Sequence, residues 1–461
     1  MAELVRRRLL HGLGANALGN VVTTLTQLVG VPILIQSWGT QLYGEWLVLI
    51  AIPTFLSMSD WGFENVAGNE MIVALAEENR ERAAEVYRTL QVFVAASSIF
   101  TVVIAAGALR LLPVAEWLVP GGLDAHVVSV IIVVLVIYVG VVVQGGLVRA
   151  VFRSGGDYAL GVMYQNFTRV GDGVAVMITA IAGGGLIAAS LAMLLSRATM
   201  TAISHWQMTA RNRWIQTAGR ASKRRLRELA PAIVAMMAFP LGFALSLQGM
   251  VTIIGLILGP IAVVTFATTR TLSRFVFQLG GVISNATWPE LSFAFGDGDL
   301  ALARSLNRRG FQAVAWLTLT LAIVMGVMGA LLLRWWTRGA VQFHPLMLGV
   351  LLLVAVIDAC WTANSVAALA AGRYRGISVM YVVTTTMSLI MTAAALRAFG
   401  IEAAPIALLI GSVVMFPYVF RTSLELTHDR PADFLQFVAR PPAPRAFLTK
   451  RVTETAQAMP L

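Results

Sequence analysis

Charge is what this sequence has least of. Only 12% of its 461 residues are charged, whereas 58% are hydrophobic and the mean hydropathy is +0.78. An ordinary soluble domain carries about 25% charged residues. A water-soluble chain of this length would have to expose much of that apolar content, which excludes a cytosolic enzyme, a secreted disulfide scaffold and a disordered chain. Cysteine is nearly absent: Cys360 stands alone inside an apolar run and cannot form an internal disulfide. No G-x-x-x-x-G-K-[ST] loop occurs, so the chain should not hydrolyse ATP. The five His are scattered without ligand spacing, so neither a metal nor another cofactor is expected. The N-terminal MAELVRRRLL lacks the short apolar core and small-residue cleavage site of a signal peptide. Lysine is scarce too, with 2 Lys against 32 Arg in a net charge of +11. Nucleic acid is not the expected partner, because the placement of this charge matters more than its sum.

What is present is long apolar runs. A helix crosses the hydrocarbon core in about 20 mostly apolar residues, and unbroken runs rather than alternation select helices over a barrel. Twelve spans are predicted, at 11–36, 43–60, 86–109, 126–150, 158–182, 184–208, 231–257, 260–283, 309–333, 345–370, 376–396 and 401–421. With the N-terminus in the cytoplasm, the inside segments hold 26 of the 34 Lys and Arg, and the outside loops hold Arg110, Arg334, Arg338 and Arg397. By the positive-inside rule both termini are cytoplasmic. The domains expected are a six-helix half at 1–208, a basic cytoplasmic linker at 209–230, a second six-helix half at 231–421 and a cytoplasmic tail at 422–461. The linker, with seven cations from Arg211 to Arg227, reads as an orientation signal or as a segment lying on anionic lipid. The tail contains Arg-Pro-Pro-Ala-Pro-Arg and is predicted to be mostly disordered.

The halves echo one another. Gly156-Asp157-Tyr158 followed by Val162-Met163-Tyr164 matches Gly372-Arg373-Tyr374 followed by Val379-Met380-Tyr381. The loop from Asn65 through Glu70 to Ala83 corresponds to that from Asn285 through Glu290 to Ala301. Six spans separate the copies, so both keep one orientation, and parallel repeats of this kind place a pathway at their interface.

Polar residues inside the spans are the candidate site. Asn16, Asn20, Thr23 and Gln27 form one stripe along span one and either bond neighbouring helices or line water. Arg270 and Arg274 share a face of span eight, where a buried cation costs on the order of 2.5–3.5 kcal/mol. They are expected to face water, a counter-charge or an anionic ligand, and guanidinium groups suit a diphosphate. Snorkelling to the membrane surface is the weaker alternative, because Arg270 lies well inside its span. Arg169 and Asp172, three apart on span five, are expected to pair. Asp358 is either a coupling site for proton or sodium or the partner of an arginine; Arg197 could be that partner or face a cavity. Asp60, Glu64 and Glu70 read as a solvated face, with pairing to Arg308 or Arg309 as a gate as the alternative.

The stretch Val31-Pro32, Ser37-Trp38-Gly39, Tyr43-Gly44-Glu45-Trp46, Ser59-Asp60-Trp61-Gly62-Phe63 and Ala67-Gly68-Asn69-Glu70 resembles the polysaccharide transporter branch of the multidrug/oligosaccharidyl-lipid/polysaccharide (MOP) exporter superfamily, whose members include the Wzx-type O-antigen flippases. The resemblance implies an all-α, twelve-helix, MATE-like V-shaped bundle with two parallel halves in the bacterial inner membrane. It implies alternating-access movement of an undecaprenyl-diphosphate-linked oligosaccharide from the inner to the outer leaflet, with ion-gradient coupling by proton or sodium in at least some members; an enzyme is not expected, because the sequence carries no soluble catalytic constellation. Glycan polymerase and chain-length machinery would be partners. On this reading Arg270, Arg274, Arg197 and Arg169 fit a cationic cavity, the span-one stripe contacts sugar, and Asp358, Asp172, Asp60 and Glu70 serve coupling or gating. A multidrug exporter of the same superfamily, a lipid II flippase and a non-transporting scaffold of a glycan-assembly complex are the alternatives.

Overall fold

The computed structural model describes residues 2–57, 60–113, 122–216, 220–373 and 375–441; the side chains of 2–24, 52, 56–57, 60–61, 216 and 234–241 lie outside that description. All regular structure among these residues is helical. The helices are α1 (Ala2–Ser57), α2 (Asp60–Ala76), α3 (Arg80–Leu111), α4 (Ala125–Ser154), α5 (Tyr158–Ile181), α6 (Leu186–Arg211), α7 (Lys223–Ala244), α8 (Met250–Leu258), α9 (Pro260–Gly296), α10 (Leu300–Trp336), α11 (Pro345–Ala370), α12 (Arg375–Phe399), α13 (Ala403–Thr427) and α14 (Pro431–Ala439). Among the described residues, the six helical stretches 80–111, 125–154, 186–211, 300–336, 345–370 and 375–427 are long and apolar enough to cross a membrane. Their outer faces show the solvent they are built for. On α10, Leu319, Ile323, Val327 and Leu331 recur every four residues and are 48–80% exposed. An apolar stripe left open in this way marks a lipid-facing surface.

The chain forms two compact units. The first comprises Met1–Thr268, Leu331–Phe343 and Thr385–Ala404; the second comprises Thr269–Ala330, His344–Thr384 and Pro405–Leu461. In the first, Leu90, Leu147, Phe152 and Met208 pack from α3, α4 and α6, and Ile215 and Leu229 bring the linker into the same core. In the second, Phe311 and Phe434 meet edge to face at 5.2 Å, and Phe416 and Phe420 stack at 5.7 Å.

The internal repeat extends to individual backbone torsions. Gly39 (φ 75°, ψ 170°) breaks α1, and Gly259 (φ 85°, ψ 176°) separates α8 from α9, 220 residues later. Left-handed residues end α2 at Glu78 and α9 at Gly298, again 220 apart, and end α4 at Gly156 and α11 at Gly372, 216 apart. The capping bonds match as well. Asn79 N–H reaches the Ala74 carbonyl as Asp299 N–H reaches that of Ala294, and the Asn79 and Asp299 side chains each accept from the backbone N–H three residues on, at 2.9 Å. Such closely repeated caps are Schellman-type helix ends. The two copies therefore share helix ends as well as apolar pattern.

Gly39 and Gly259 occupy a backbone region that side chains avoid, costing about 1–3 kcal/mol when forced. A Cβ at either would meet no atom within 4 Å, so that cost would be the backbone's alone. Gly39→Ala and Gly259→Ala should each lower stability by about 1–3 kcal/mol. Gly107→Ala, on α3 with equally open space, should be neutral or stabilising. Thermal unfolding in detergent checks the contrast.

The tail departs from expectation. Its first part folds as α14 on the side of α10: Phe434 is fully buried, Trp316 Nε1 donates to the Val438 carbonyl at 2.9 Å, and Gln312 Nε2 donates to the carbonyls of Phe437 and Arg440. The apolar spacing of Phe434, Phe437 and Val438 outweighs the nearby prolines. Most of the Arg-Pro-Pro-Ala-Pro-Arg segment lies outside the described residues.

Candidate functional site

The motif-bearing stretch at 37–70 serves packing. Trp38 Nε1 donates to the Gly184 carbonyl at 2.9 Å and meets Trp46 edge to face at 5.9 Å. Gly44 is needed because a Cβ there would strike the Pro260 carbonyl. Glu45 is buried and accepts from Gln41 at 3.0 Å. Asn65 and Asn69 both accept from Arg153, at 3.0 and 2.7 Å, and clamp α2 to α4. Trp38, Gly44, Glu45, Trp46 and Asn69 belong to the stretch that carries the family resemblance, and the contacts of Trp38, Gly44 and Asn69 fix one helical segment against another.

The first unit holds a buried ionic cluster. Asp172 on α5 pairs with Arg197 on α6, and Tyr138 on α4 joins them: its hydroxyl donates to Asp172 Oδ2 at 2.7 Å and accepts from Arg197 at 2.8 Å. The Arg197 guanidinium also lies 5.1 Å from the centre of the Tyr138 ring. Asp172 therefore pairs across helices, and the expected pairing with Arg169 is not made; Arg169 is exposed. It lies within electrostatic range of Arg149, Arg197 and Glu64. Arg149 in turn grips Glu64 at 2.8 Å. Three arginines thus face two carboxylates. Tyr138 belongs to no sequence motif; its one signal is that a phenol in the middle of the run Val-Ile-Tyr-Val-Gly needs a polar partner.

The second unit holds another cluster. Asp358 on α11 accepts at Oδ1 from Ser412 of α13 at 2.7 Å and from Trp361 at 2.8 Å. Arg270 and Arg274, both half-buried on α9, lie within electrostatic range of Asp358 and of Tyr381. Here two arginines face one carboxylate. Arg197 is held by Asp172 in the first unit. Two turns along α11 from Asp358, Asn364 is fully buried with neither amide atom hydrogen-bonded. An unmade buried bond costs about 1–3 kcal/mol, so Asn364→Ala should raise the melting temperature in detergent or leave it unchanged. A fall would show that the amide finds a partner within the fold.

The described acidic residues of α2 are paired within the first unit rather than left as a solvated face. Glu64 pairs with Arg149, Glu70 with Arg82 at 3.4 Å, and Arg308 with Asp429 at the start of the tail. Gln27 is exposed on α1. Asn16, Asn20, Thr23 and Asp60 fall on helices, with side chains outside the described residues.

No family model and no curated protein matches the sequence. Solved structures do match in fold. An inward-facing multidrug resistance MATE family transporter of the MOP superfamily superposes with a TM-score of 0.71 at 14% identity, covering 90% of this chain and 96% of that one. The lipid II flippase MurJ, in an inward closed conformation, gives 0.67 at 10% identity, covering 92% and 89%. A MOP superfamily transporter from Pyrococcus furiosus, described for the reverse polarity of its binding pocket, gives 0.56 at 13%, covering 92% and 95%. The chain is thus a multi-pass helical membrane protein with the fold of the MATE and MOP-superfamily transporters.

Proposed function

We propose that this protein is a flippase that moves an undecaprenyl-diphosphate-linked oligosaccharide from the inner to the outer leaflet of the bacterial cytoplasmic membrane, with both termini in the cytoplasm. The observation that carries the reading is the excess of guanidinium over carboxylate in each unit: Arg149, Arg169 and Arg197 against Glu64 and Asp172, and Arg270 and Arg274 against Asp358. In each cluster the guanidiniums outnumber the carboxylates, and a diphosphate diester is a dianion that planar guanidinium groups bind by directed, charge-assisted hydrogen bonds. A cavity for lipophilic cations would need the opposite balance, which argues against a multidrug exporter. A superfamily member noted for a pocket of reversed polarity is a precedent for such divergence on this fold. Arg270 and Arg274 take the diphosphate, the span-one stripe contacts sugar, and Asp358 serves proton or sodium coupling. Glycan polymerase and chain-length machinery would act on the product.

Lipid II transport is the second reading, favoured by the match to MurJ. It shares the carrier and differs in the saccharide. The test is to delete the gene in its host and locate the lipid-linked saccharide by leaflet. Accumulation on the cytoplasmic leaflet, reversed by the wild-type gene, is the expected result. A normal distribution with new drug sensitivity would replace the flippase by the multidrug reading.

A further inference from the structure

The basic linker is held against the first unit. The Ile215 carbonyl accepts from Arg88 at 3.3 Å, Ser222 N–H donates to Thr89 Oγ1 at 3.0 Å, and Arg225 reaches Glu85 at 3.3 Å. Between the linker, the start of α3 and the end of α6 lies a cavity of about 490 Å³. Its polar lining is Tyr87, Arg88, Gln91, His205, Thr209 and Arg220, and none of its lining residues is acidic. The nearby carboxylates face elsewhere, Glu85 on Arg225 and Glu228 on Arg224 and Arg225. The cavity therefore joins two guanidiniums, a phenol, an imidazole and neutral donors, a set suited to a phosphate.

The surroundings indicate where that phosphate comes from. Val92, which also lines the cavity, is 56% exposed, and Trp206, next to His205, is 69% exposed. Farther along α3, Ile99, Phe100 and Val103 are 63–66% exposed, as a lipid-facing stripe requires. The cavity thus lies where an apolar outer face gives way to a basic segment, at the depth of lipid headgroups, and Trp is enriched at that depth. We propose that this cavity is a binding site for the phosphate headgroup of an anionic phospholipid, whose acyl chains leave over Val92 and Trp206 and which holds the linker to α3 and α6. The site does not depend on which molecule is transported.

The test uses the full chain purified in detergent and titrated with dioleoylphosphatidylglycerol, dioleoylphosphatidylcholine or inorganic phosphate. Thermal stability and native mass spectrometry are the readouts. Phosphatidylglycerol should raise the melting temperature and leave a retained one-lipid adduct, and the other two should not. Arg88→Gln/Arg220→Gln should weaken that response by roughly tenfold or more, as loss of charge-assisted bonds requires. Arg224→Gln/Arg227→Gln removes the same charge from the linker outside the cavity and should leave the response within about twofold, since diffuse attraction alone is screened. Arg220→Gln alone changes an exposed side chain and keeps the test valid if the double variant fails to fold. Equal losses from both pairs would reduce the effect to diffuse linker charge and overturn the proposal. Equal binding of phosphatidylcholine, or a full response to inorganic phosphate, would overturn it as well.

Discussion

Arg270→Gln/Arg274→Gln is expected to abolish lipid-linked oligosaccharide translocation while leaving a folded protein in the membrane. Each charge-assisted hydrogen bond to a phosphate contributes about 1.5–3 kcal/mol. Losing one from each arginine removes about 3–6 kcal/mol, or roughly two to four orders of magnitude in affinity. The paired replacement matters, because the two side chains lie one turn apart on α9 and either could cover for the other. Arg270→Lys/Arg274→Lys keeps the charge but loses the planar fork, and should retain an intermediate rate. The measurement is transfer of a lipid-linked oligosaccharide between leaflets of proteoliposomes, with melting temperature read on the same preparations. Full activity in the Gln pair, at unchanged stability, would remove the diphosphate assignment.

Much of this architecture is written in the sequence, because lipid leaves the backbone few choices. The apolar runs, the cationic loops and the repeat are all local in the chain. The repeat proves sharper than its residues suggest: Glu78 and Gly298 share no chemistry, yet both take the left-handed conformation that closes the same capping pattern. Partners across helices were less legible. Arg169 and Asp172 have the spacing of a helical ion pair, but Asp172 is buried toward Tyr138 and Arg197 while Arg169 is exposed. A spacing of three gives no account of a partner 25 residues away. Asp358 shows the same limit: its hydrogen-bond donors are Trp361, one turn along, and Ser412, two helices further on. The first part of the tail shows the opposite limit, since its composition suggests disorder while a few apolar side chains of α14 supply a docking face on α10.

The buried pair in the first unit makes the other large prediction, and it concerns stability. Asp172→Leu would leave Arg197, a residue only 8% exposed, without its carboxylate. Breaking one side of a buried pair typically costs about 3–5 kcal/mol, because the remaining charge stays desolvated. The single variant should therefore melt far below wild type or fail to accumulate. Arg197→Leu should be damaging for the mirror-image reason, with Tyr138 left to satisfy Asp172 alone. Asp172→Leu/Arg197→Leu removes both charges and should recover most of the loss, as apolar replacement of a whole buried pair is often neutral or stabilising. A double-mutant cycle in detergent gives the coupling, which should far exceed the few tenths of a kcal/mol seen for independent sites. Arg169→Gln serves as control, since an exposed guanidinium outside the pair should leave the melting temperature nearly unchanged. The double variant also separates two roles. If it melts like wild type and still transports, the pair is a structural fastener between α5 and α6; if it melts like wild type and transports nothing, the charges were kept for transport at a site where leucine would have served the fold.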